Sequence, residues 1–216
     1  MPIQALVFDA YGTLLDVESI APQSGGLSQL WRRKQLEYTW LSALMDRYED
    51  FQQITAKALR TAARQLLMEM TEDQIHGLLD AYLRVPAFDD ARTALQSLTG
   101  LPLAILSNGT LQMVEAALRY NGLNAYFNQI ISVDEVRSYK PSPRVYALGP
   151  EKLKIPAAEI LFVSSNWWDA AGAKAFGYQV CWCNRSGAPF DAFGTAPDFT
   201  VPRLDRVADI ISGRVL

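Results

Sequence analysis

The stretch Gln4-Ala-Leu-Val-Phe-Asp-Ala-Tyr-Gly-Thr-Leu-Leu15 contains a short apolar run that stops at Asp9. Similar runs bounded by turn residues recur along the chain, most of them separated by helical stretches. They cover Leu101 to Leu106, Gln129 to Val133, Glu159 to Val163 and Tyr178 to Cys183, and Asp198 to Leu216 adds a last short strand and a closing helix. This alternation predicts an α/β fold with a doubly wound, mostly parallel sheet covered by helices on both faces.

One long region interrupts the alternation. Between residues 28 and 83, large apolar side chains recur at three- and four-residue intervals, which predicts an all-helical insertion after the first strand. Pro22 and Gly25 belong to a flexible lead into it, and Val85-Pro-Ala-Phe marks the return to the sheet. The predicted division is a core domain of residues 1–15 and 86–216 and a helical cap domain of residues 16–85.

The composition limits the classes of partner. Of the 216 residues, 50% are hydrophobic and 20% are charged, and the formal net charge is -3. This charge gives no general attraction for nucleic acid or an anionic membrane, so an anionic substrate needs locally placed Arg or Lys. Because the chain shows neither a signal-like segment nor a long apolar stretch, we expect a cytoplasmic protein.

The cysteines and the histidine do not suggest a catalytic site. Cys181 and Cys183 share one face of a predicted strand, which favours buried, reduced thiols over a redox pair or a zinc half-site. The only histidine, His76, lies in a segment typical of a helix surface. Without a GxSxG elbow, a Ser-His-Asp hydrolase is disfavoured. These residue types therefore give no indication of a zinc site.

Polar side chains follow four of the predicted strands. In an open parallel sheet, ligands bind beyond the carboxyl ends of the strands. Taken singly, these residues have ordinary roles as helix caps, turn residues or solvated charges. Taken together, a carboxylate, hydroxyls and an ammonium favour a common site. The residues are Asp9, then Ser107-Asn108-Gly109, then Lys140-Pro141, then Ser164-Ser165-Asn166 with Asp169 following.

These four segments resemble, in order, the four motifs of the haloacid dehalogenase superfamily, and the resemblance covers nearly the whole chain. The helix that begins Leu30-Trp31-Arg32-Arg33 looks like the insertion helix of the L-2-haloacid dehalogenases (type II). The resemblance implies that Asp9 is the nucleophile and that Arg32 contacts the leaving halide. On composition alone, a basic helix face in water is the favoured interpretation of Arg32, although the surrounding Trp31, Leu36, Trp40 and Phe51 are strongly apolar. Arg33 replaces a glutamine usual in that family, so the substrate range is expected to differ.

The resemblance implies hydrolysis of (S)-2-haloalkanoic acids to (R)-2-hydroxyalkanoic acids with inversion, through an ester on Asp9. In this scheme Lys140 pairs with Asp9, and Thr13 and Ser164 hydrogen-bond its carboxylate. In a second step, water hydrolyses the ester on Asp9. The candidates for holding or deprotonating this water are Asn166 and Asp169, with Tyr146 nearby.

The substrate is expected to bind through three kinds of contact. The halide meets Arg32, Asn108 and the ring edge of Trp168. The substrate carboxylate meets Ser107 and the backbone N–H groups after Asp9, beginning at Ala10. The alkyl part packs against four side chains, Tyr11, Leu36, Phe51 and Trp168.

Two alternatives stay open on the sequence. The first is a Mg²⁺-dependent phosphatase acting on a small phosphoester, but phosphatases of the superfamily carry a second aspartate where this chain has Tyr11. An alkoxide leaving group needs that acid, whereas chloride leaves as an anion without a proton. These phosphatases also usually hold Mg²⁺ with a carboxylate in the fourth motif, where this chain has Asn166, so the resemblance implies no metal and no cofactor. The second is a non-catalytic binding domain with an inherited fold. A homodimer is open by analogy with the family.

Overall fold

The fold is built around a parallel sheet. The computed structural model describes residues 1–21 and 26–214. Within these residues, six strands pair in the order β3-β2-β1-β4-β5-β6, and all neighbouring pairs run parallel. The strands are β1 (Ala5–Phe8), β2 (Leu103–Ser107), β3 (Gln129–Ser132), β4 (Ile160–Ser164), β5 (Gln179–Cys183) and β6 (Phe199–Val201).

The predicted strands are confirmed, with small shifts at their ends. The central strands β1, β2 and β4 are buried along their whole length, because helices cover both faces. The strand predicted from Leu101 begins at Leu103. Pro102 has no N–H to donate to a neighbouring strand, although its carbonyl still accepts from Leu6 N at 3.0 Å.

The predicted helical insertion is also confirmed. Three helices follow β1, namely α1 (Leu27–Leu44), α2 (Phe51–Gln65) and α3 (Glu72–Tyr82). The side chain of Asp50 caps the first turn of α2 by accepting from Gln53 N at 2.9 Å. Thr71 and Gln74 form a reciprocal capping box that starts α3. The lead predicted around Pro22 and Gly25 lies outside the described residues.

The remaining helices cover the sheet. They are α4 (Ala91–Ser97), α5 (Leu111–Tyr120), α6 (Pro143–Tyr146), α7 (Leu148–Leu153), α8 (Trp167–Phe176) and α9 (Val207–Ile211). The helices α5 and α8 begin directly beyond β2 and β4, so their first turns lie at the carboxyl edge of the sheet. No described helix combines the length and apolar character needed to span a membrane. Cys181 and Cys183 are buried free thiols, as predicted.

Candidate active site

The candidate site lies at the carboxyl ends of the three central strands. Because β1 pairs with both β2 and β4, the residues that follow these strands meet at one edge of the sheet. Asp9 follows β1, and its backbone N–H donates to Val163 O at 3.0 Å, which continues the pairing with β4. Ser107 and Ser164 are the last residues of β2 and β4.

The carboxylate of Asp9 is held at both oxygens. Oδ1 accepts from Lys140 Nζ at 3.1 Å. Oδ2 accepts from Thr13 Oγ1 at 2.9 Å and from Asn166 Nδ2 at 2.8 Å. The residue is only 5% exposed. One cation and two neutral donors therefore fix the orientation of a nearly buried carboxylate and stabilise its charge.

Lys140 bridges two carboxylates. Its Nζ lies 3.1 Å from Asp9 Oδ1 and 3.0 Å from Asp169 Oδ2, and it also lies 5.0 Å from the centroid of the Phe162 ring. Complete burial acts to lower the pKa of Lys140, but the charges and hydrogen bonds of the two carboxylates together raise it above its ordinary value. Lys140 is therefore a buried cation at neutral pH.

Asp169 has the character of a weakly acidic carboxyl group. It lies in the first turn of α8, fully buried, and Oδ1 accepts from Tyr146 Oη at 2.7 Å. Burial and, to a smaller extent, the charge of Asp9 raise its pKa to about 6, against the lowering effect of Lys140. Burial also raises the pKa of Tyr146, which therefore keeps its proton and donates. Asp169 can thus accept a proton near neutral pH.

The hydroxyl of Thr13 links two motifs. It donates to Asp9 Oδ2, and its Oγ1 accepts from Ser165 N at 2.9 Å. The prediction that Ser164 hydrogen-bonds the Asp9 carboxylate is wrong. Its Oγ instead accepts from Asn166 N at 3.2 Å, because the short side chain turns back onto the backbone two residues later. The longer side chain of Asn166 supplies the contact with Asp9.

The end of β2 forms a second local turn beside the Lys140 segment. Ser107 Oγ accepts from Gly109 N at 3.0 Å, so its O–H remains able to donate. Asn108 Oδ1 accepts from Lys140 N at 3.0 Å. This bond uses the amide oxygen of Asn108, so the N–H₂ group is the part that can bind an anion.

Arg32 reaches from the insertion to the loop after β1. Its Nη2 donates to the backbone carbonyl of Tyr11 at 3.2 Å, two residues beyond Asp9. Its Nη1 donates to Gln35 Oε1 at 2.7 Å. The side chain is partly buried. The structure therefore brings a cation of α1 next to the loop that carries Asp9, and Arg32 is not simply part of a solvated basic face.

Aromatic rings line the same region. The ring centroid of Tyr11 lies 5.9 Å from that of Phe51 and 5.5 Å from that of Tyr82. A Cβ atom added to Gly109 would lie 2.7 Å from Tyr11 Cε2, so the absence of a side chain at Gly109 allows this close approach. The rings form an apolar wall between the insertion and the sheet.

The remaining predicted contact residues lie around this wall. Ala10 is fully buried in the loop after β1. Leu36 is partly buried on α1, one turn beyond Arg32 and therefore on the same helical face. Trp168 is partly buried at the start of α8, with its ring centroid 5.6 Å from that of Trp40.

Two further groups contact the site residues and were not identified from the sequence. Gln35 accepts from Arg32, and a spacing of three residues on a helix could have suggested this pair. Arg185 Nη2 donates to the backbone carbonyl of Thr13 at 3.0 Å. Arg185 follows the carboxyl end of β5. The expectation that site residues lie just beyond the carboxyl ends of parallel strands therefore applies to Arg185 as well.

Comparison with known proteins agrees with this geometry. The model of the haloacid dehalogenase-like hydrolase family matches residues 3–177. Haloacetate dehalogenase H-2 from Moraxella sp. (strain B) is 46% identical, over 97% of this chain and 98% of the relative. (S)-2-haloacid dehalogenase H-109 from Pseudomonas putida is 44% identical, over 96% of this chain and 97% of the relative.

A solved structure is similar over the same extent. The L-2-haloacid dehalogenase from Xanthobacter autotrophicus with chloropropionic acid covalently bound is 40% identical, and the match covers 98% of this chain and 99% of that one with a TM-score of 0.91. The predicted family is thereby confirmed. Because the matched region contains Asp9, Lys140 and Asp169 and the identity extends over nearly the whole of each relative, this chain belongs to the haloacid dehalogenase-like hydrolases, in the group that contains the (S)-2-haloacid dehalogenases.

Proposed function

We propose that this protein hydrolyses short (S)-2-haloalkanoic acids to (R)-2-hydroxyalkanoic acids, through an ester on Asp9. The observation that carries the proposal is the contact of Arg32 with the carbonyl of Tyr11, 3.2 Å from Nη2 to O. It puts a permanent cation beside the loop of a buried, oriented carboxylate. A reaction in which a carboxylate attacks and a halide leaves needs an anion as nucleophile and a nearby cation that stabilises the departing halide.

The first step joins Asp9 to the substrate. A carboxylate oxygen of Asp9 attacks C2 in line with the carbon–halogen bond, so the new C–O bond forms as halide leaves with the bonding electrons. The configuration at C2 inverts. The halide is received by Arg32, Asn108 and the ring edge of Trp168. Halide is a weak base and leaves without a proton, so Tyr11 in place of an acid does not impede the step.

Substrate binding uses the polar turn at β2 and the aromatic wall. The substrate carboxylate meets the hydroxyl of Ser107, which keeps its proton free to donate, and the backbone N–H groups after Asp9, beginning at Ala10. The alkyl chain lies against Tyr11, Leu36, Phe51 and Trp168. The packing of Tyr11 against Phe51 and its close approach to Gly109 support a preference for short chains.

The second step regenerates Asp9. Water attacks the ester carbonyl carbon of Asp9, and the C–O bond to C2 stays intact, so the inverted configuration is kept. Asp169 accepts the proton of the water, with Tyr146 hydrogen-bonded to its other oxygen. Asn166 and Lys140 contact the Asp9 carboxylate in the free protein and stabilise the oxygen that becomes negative during attack. Thr13 keeps the loop oriented, and Ser164 supports the backbone of Asn166.

The donor set does not fit a divalent cation. Mg²⁺ prefers several anionic oxygens, and the two carboxylates of the site already share the ammonium of Lys140. No cluster of three or more His, Cys, Asp or Glu side chains suitable for a metal occurs in residues 1–21 and 26–214. The proposed reaction therefore uses no metal, and halide release is expected to survive exhaustive chelation.

We also propose that residues 16–85 form a cap domain on a core of residues 1–15 and 86–216. The chain leaves and re-enters the core at adjacent points, which supports this boundary. Leu15 and Ala87 form an antiparallel bridge, and Asp16 N donates to Pro86 O at 2.8 Å. The cap then supplies Arg32, and the core supplies Asp9.

The location and assembly of the protein follow as further proposals. Two buried, reduced thiols, Cys181 and Cys183, suit a reducing compartment, and we assign the enzyme to the cytoplasm. The end of α1 exposes Leu41, Leu44 and Met45, and such an apolar surface supports a homodimer formed through the cap. Light scattering at several protein concentrations measures the oligomeric state.

The deciding experiment follows halide release and product chirality. Separate (S)- and (R)-2-chloropropionate are incubated with the protein, and the lactate is resolved by chiral chromatography. We expect the S substrate alone to react and to give (R)-lactate. Racemic product, retained configuration or equal turnover of both enantiomers would contradict the proposal. A phosphoester panel with Mg²⁺ tests the phosphatase alternative in parallel.

A further inference from the structure

One of the two acceptors that hold the guanidinium of Arg32 is a buried side-chain amide. The side chain of Gln35 is 0% exposed. Its Oε1 accepts from Arg32 Nη1 at 2.7 Å and from Tyr82 Oη at 3.1 Å. Its Nε2 donates to Thr55 Oγ1 at 2.6 Å, and this hydroxyl donates in turn to Phe51 O at 2.6 Å. Three elements of the insertion, α1, α2 and α3, thus converge on one side chain that contacts Arg32.

The arrangement restricts a side chain that is otherwise flexible. Arginine has many rotamers, and an arginine on a helix surface normally extends into water. Here the two terminal nitrogens of the planar guanidinium have separate acceptors, Gln35 Oε1 for Nη1 and the carbonyl of Tyr11 for Nη2. Two bonds to separate elements set the position of this plane as well as its distance from Asp9.

The neutrality of Gln35 matters as much as its position. A carboxylate at the same place would also accept from Arg32, but it would form an ion pair and reduce the positive potential available to a departing halide. An amide oxygen orients the guanidinium and leaves its net charge in place. The amide nitrogen Nε2 donates to Thr55 Oγ1, so both the oxygen and the nitrogen of the Gln35 amide have a hydrogen-bond partner.

Other contacts already join the helices of the insertion. Trp31 Nε1 donates to Thr55 O at 2.8 Å, and Tyr38 Oη donates to Thr61 Oγ1 at 3.0 Å. These bonds connect α1 to α2 without involving Arg32. The distinctive property of Gln35 among these connections is therefore its bond to the guanidinium.

We propose that Gln35 is a positioning residue that orients Arg32 for the departing halide while leaving the charge of Arg32 undiminished. This inference rests on the proposed function, in which Arg32 receives the halide. Gln35 itself touches neither substrate nor product. Its effect is confined to the step in which the carbon–halogen bond breaks, and hydrolysis of the ester does not depend on it.

The test compares three variants with the unaltered protein. Gln35→Met keeps the approximate volume and removes both polar ends, and Gln35→Glu keeps the shape and adds a charge. Tyr38→Phe is the matched control, because it removes an α1–α2 hydrogen bond that does not reach Arg32. The measurements are single-turnover halide release from 2-chloro- and 2-bromopropionate with enzyme in excess, inhibition by bromide, and the thermal midpoint.

Each variant has a defined expectation. Gln35→Met slows halide release by up to about 100-fold, the effect of misplacing a reacting group by about 1 Å. The chloro substrate loses more rate than the bromo substrate, because chloride needs more stabilisation as it leaves. Gln35→Glu weakens bromide inhibition and slows halide release, and lowering the pH to protonate the introduced carboxylate restores part of the rate. Tyr38→Phe changes only the thermal midpoint.

Failure of the inference is distinguishable from failure of the proposed function. If the unaltered protein releases no halide, the proposed function fails before any variant is considered. If it does, and both Gln35 variants keep its chloro-to-bromo rate ratio and bromide inhibition, Gln35 only packs the insertion and the inference is overturned. A change in that ratio in Tyr38→Phe would overturn it too. If Gln35→Met does not fold, the pH dependence of Gln35→Glu decides.

Discussion

Arg185 Nη2 donates a hydrogen bond of 3.0 Å to the backbone carbonyl of Thr13, although the two residues lie 172 positions apart in the sequence. Its other terminal nitrogen pairs with the buried carboxylate of Asp90, and its guanidinium stacks 4.0 Å above the centroid of the Phe88 ring. Asp90 Oδ2 also accepts from Leu204 N at 2.8 Å. A segment beyond the matched family region thus supports the loop that carries the nucleophile.

This pairing predicts a large effect on stability. Arg185→Met leaves the carboxylate of Asp90 buried without its cation, and we expect a loss of about 3 kcal/mol in the free energy of unfolding. Urea denaturation measures it. Arg203→Met removes the solvent-exposed pairs of Arg203 with Asp89 and Asp205 and serves as the control, with stability expected to stay nearly unchanged. Equal effects of both substitutions would show that the buried pair has no special role.

The ester on Asp9 predicts where solvent oxygen appears. In ¹⁸O-water with enzyme in excess, the product hydroxyl comes from the Asp9 side chain, so the first-turnover product is unlabelled and the peptide containing Asp9 gains mass. Asp9→Asn lowers halide release by more than about 1,000-fold, because a neutral amide is a poor nucleophile. Mass spectrometry of the product and of the peptide provides the check. Label in the first-turnover hydroxyl, with an unlabelled peptide, would mean that water attacks C2 directly.

The titration of Asp169 predicts the pH dependence of ester hydrolysis. Burial raises the pKa of this carboxyl group to about 6, and only its ionised form can accept a proton from water. Hydrolysis therefore slows at acidic pH, with its midpoint at or below pH 6, while halide release is less affected. Rapid-quench mass spectrometry follows the ester through time.

A substitution provides the control for this assignment. Asp169→Asn removes the proton acceptor, so the ester accumulates on Asp9 and the slow residual hydrolysis loses the acidic limb. Rapid hydrolysis in Asp169→Asn, with the same pH profile as the unaltered protein, would assign the base to another group.

Gly109 predicts a steric effect on the substrate pocket. In Gly109→Ala the new Cβ lies 2.7 Å from Tyr11 Cε2 and 3.1 Å from Val114 Cγ2, so the Tyr11 ring must move. We expect a loss of about 1 to 3 kcal/mol in stability and a higher KM for 2-chloropropionate. In the control Gly77→Ala, the added Cβ meets no atom within 4 Å. This change in α3 leaves KM unchanged and stabilises the helix by up to about 1 kcal/mol. An unchanged KM in Gly109→Ala would mean that the Tyr11 ring does not contribute to substrate binding.

Much of the fold could be predicted because its signals are local. The apolar runs mark the buried strands, and the polar residues after them lie at one edge, since parallel strands share a direction. For this reason Asp9 contacts both Lys140 and Asn166. The limit of the rule is orientation. Ser164 lies at the predicted edge of the sheet, but its hydroxyl contacts Asn166 N and not the Asp9 carboxylate. No sequence pattern distinguishes Asn166 N from Asp9 as its partner.

The sequence offers candidates for the supporting groups but does not select them, because most of their contacts depend on packing between distant segments. Gln35 resembles any polar residue on an amphipathic helix until α2 and α3 place Thr55 and Tyr82 around it. Arg185 required knowledge that β5 lies beside β4. Sequence spacing identifies the groups that perform chemistry more readily than the groups that hold them.

The shared ammonium of Lys140 has a consequence for the two steps of the proposed mechanism. In the free protein the negative charge of Asp9 helps to raise the pKa of Asp169. Esterification removes the negative charge of Asp9. Of the two carboxyl groups that contact Lys140, only that of Asp169 then remains an anion. In the proposed mechanism, removal of the Asp9 charge lowers the pKa of Asp169, so that the proposed base is more completely ionised when an ester is present for water to attack. When hydrolysis restores the Asp9 carboxylate, the pKa of Asp169 rises again. The charges of Asp9, Lys140 and Asp169 thus favour proton acceptance by Asp169 in the state in which the ester is present.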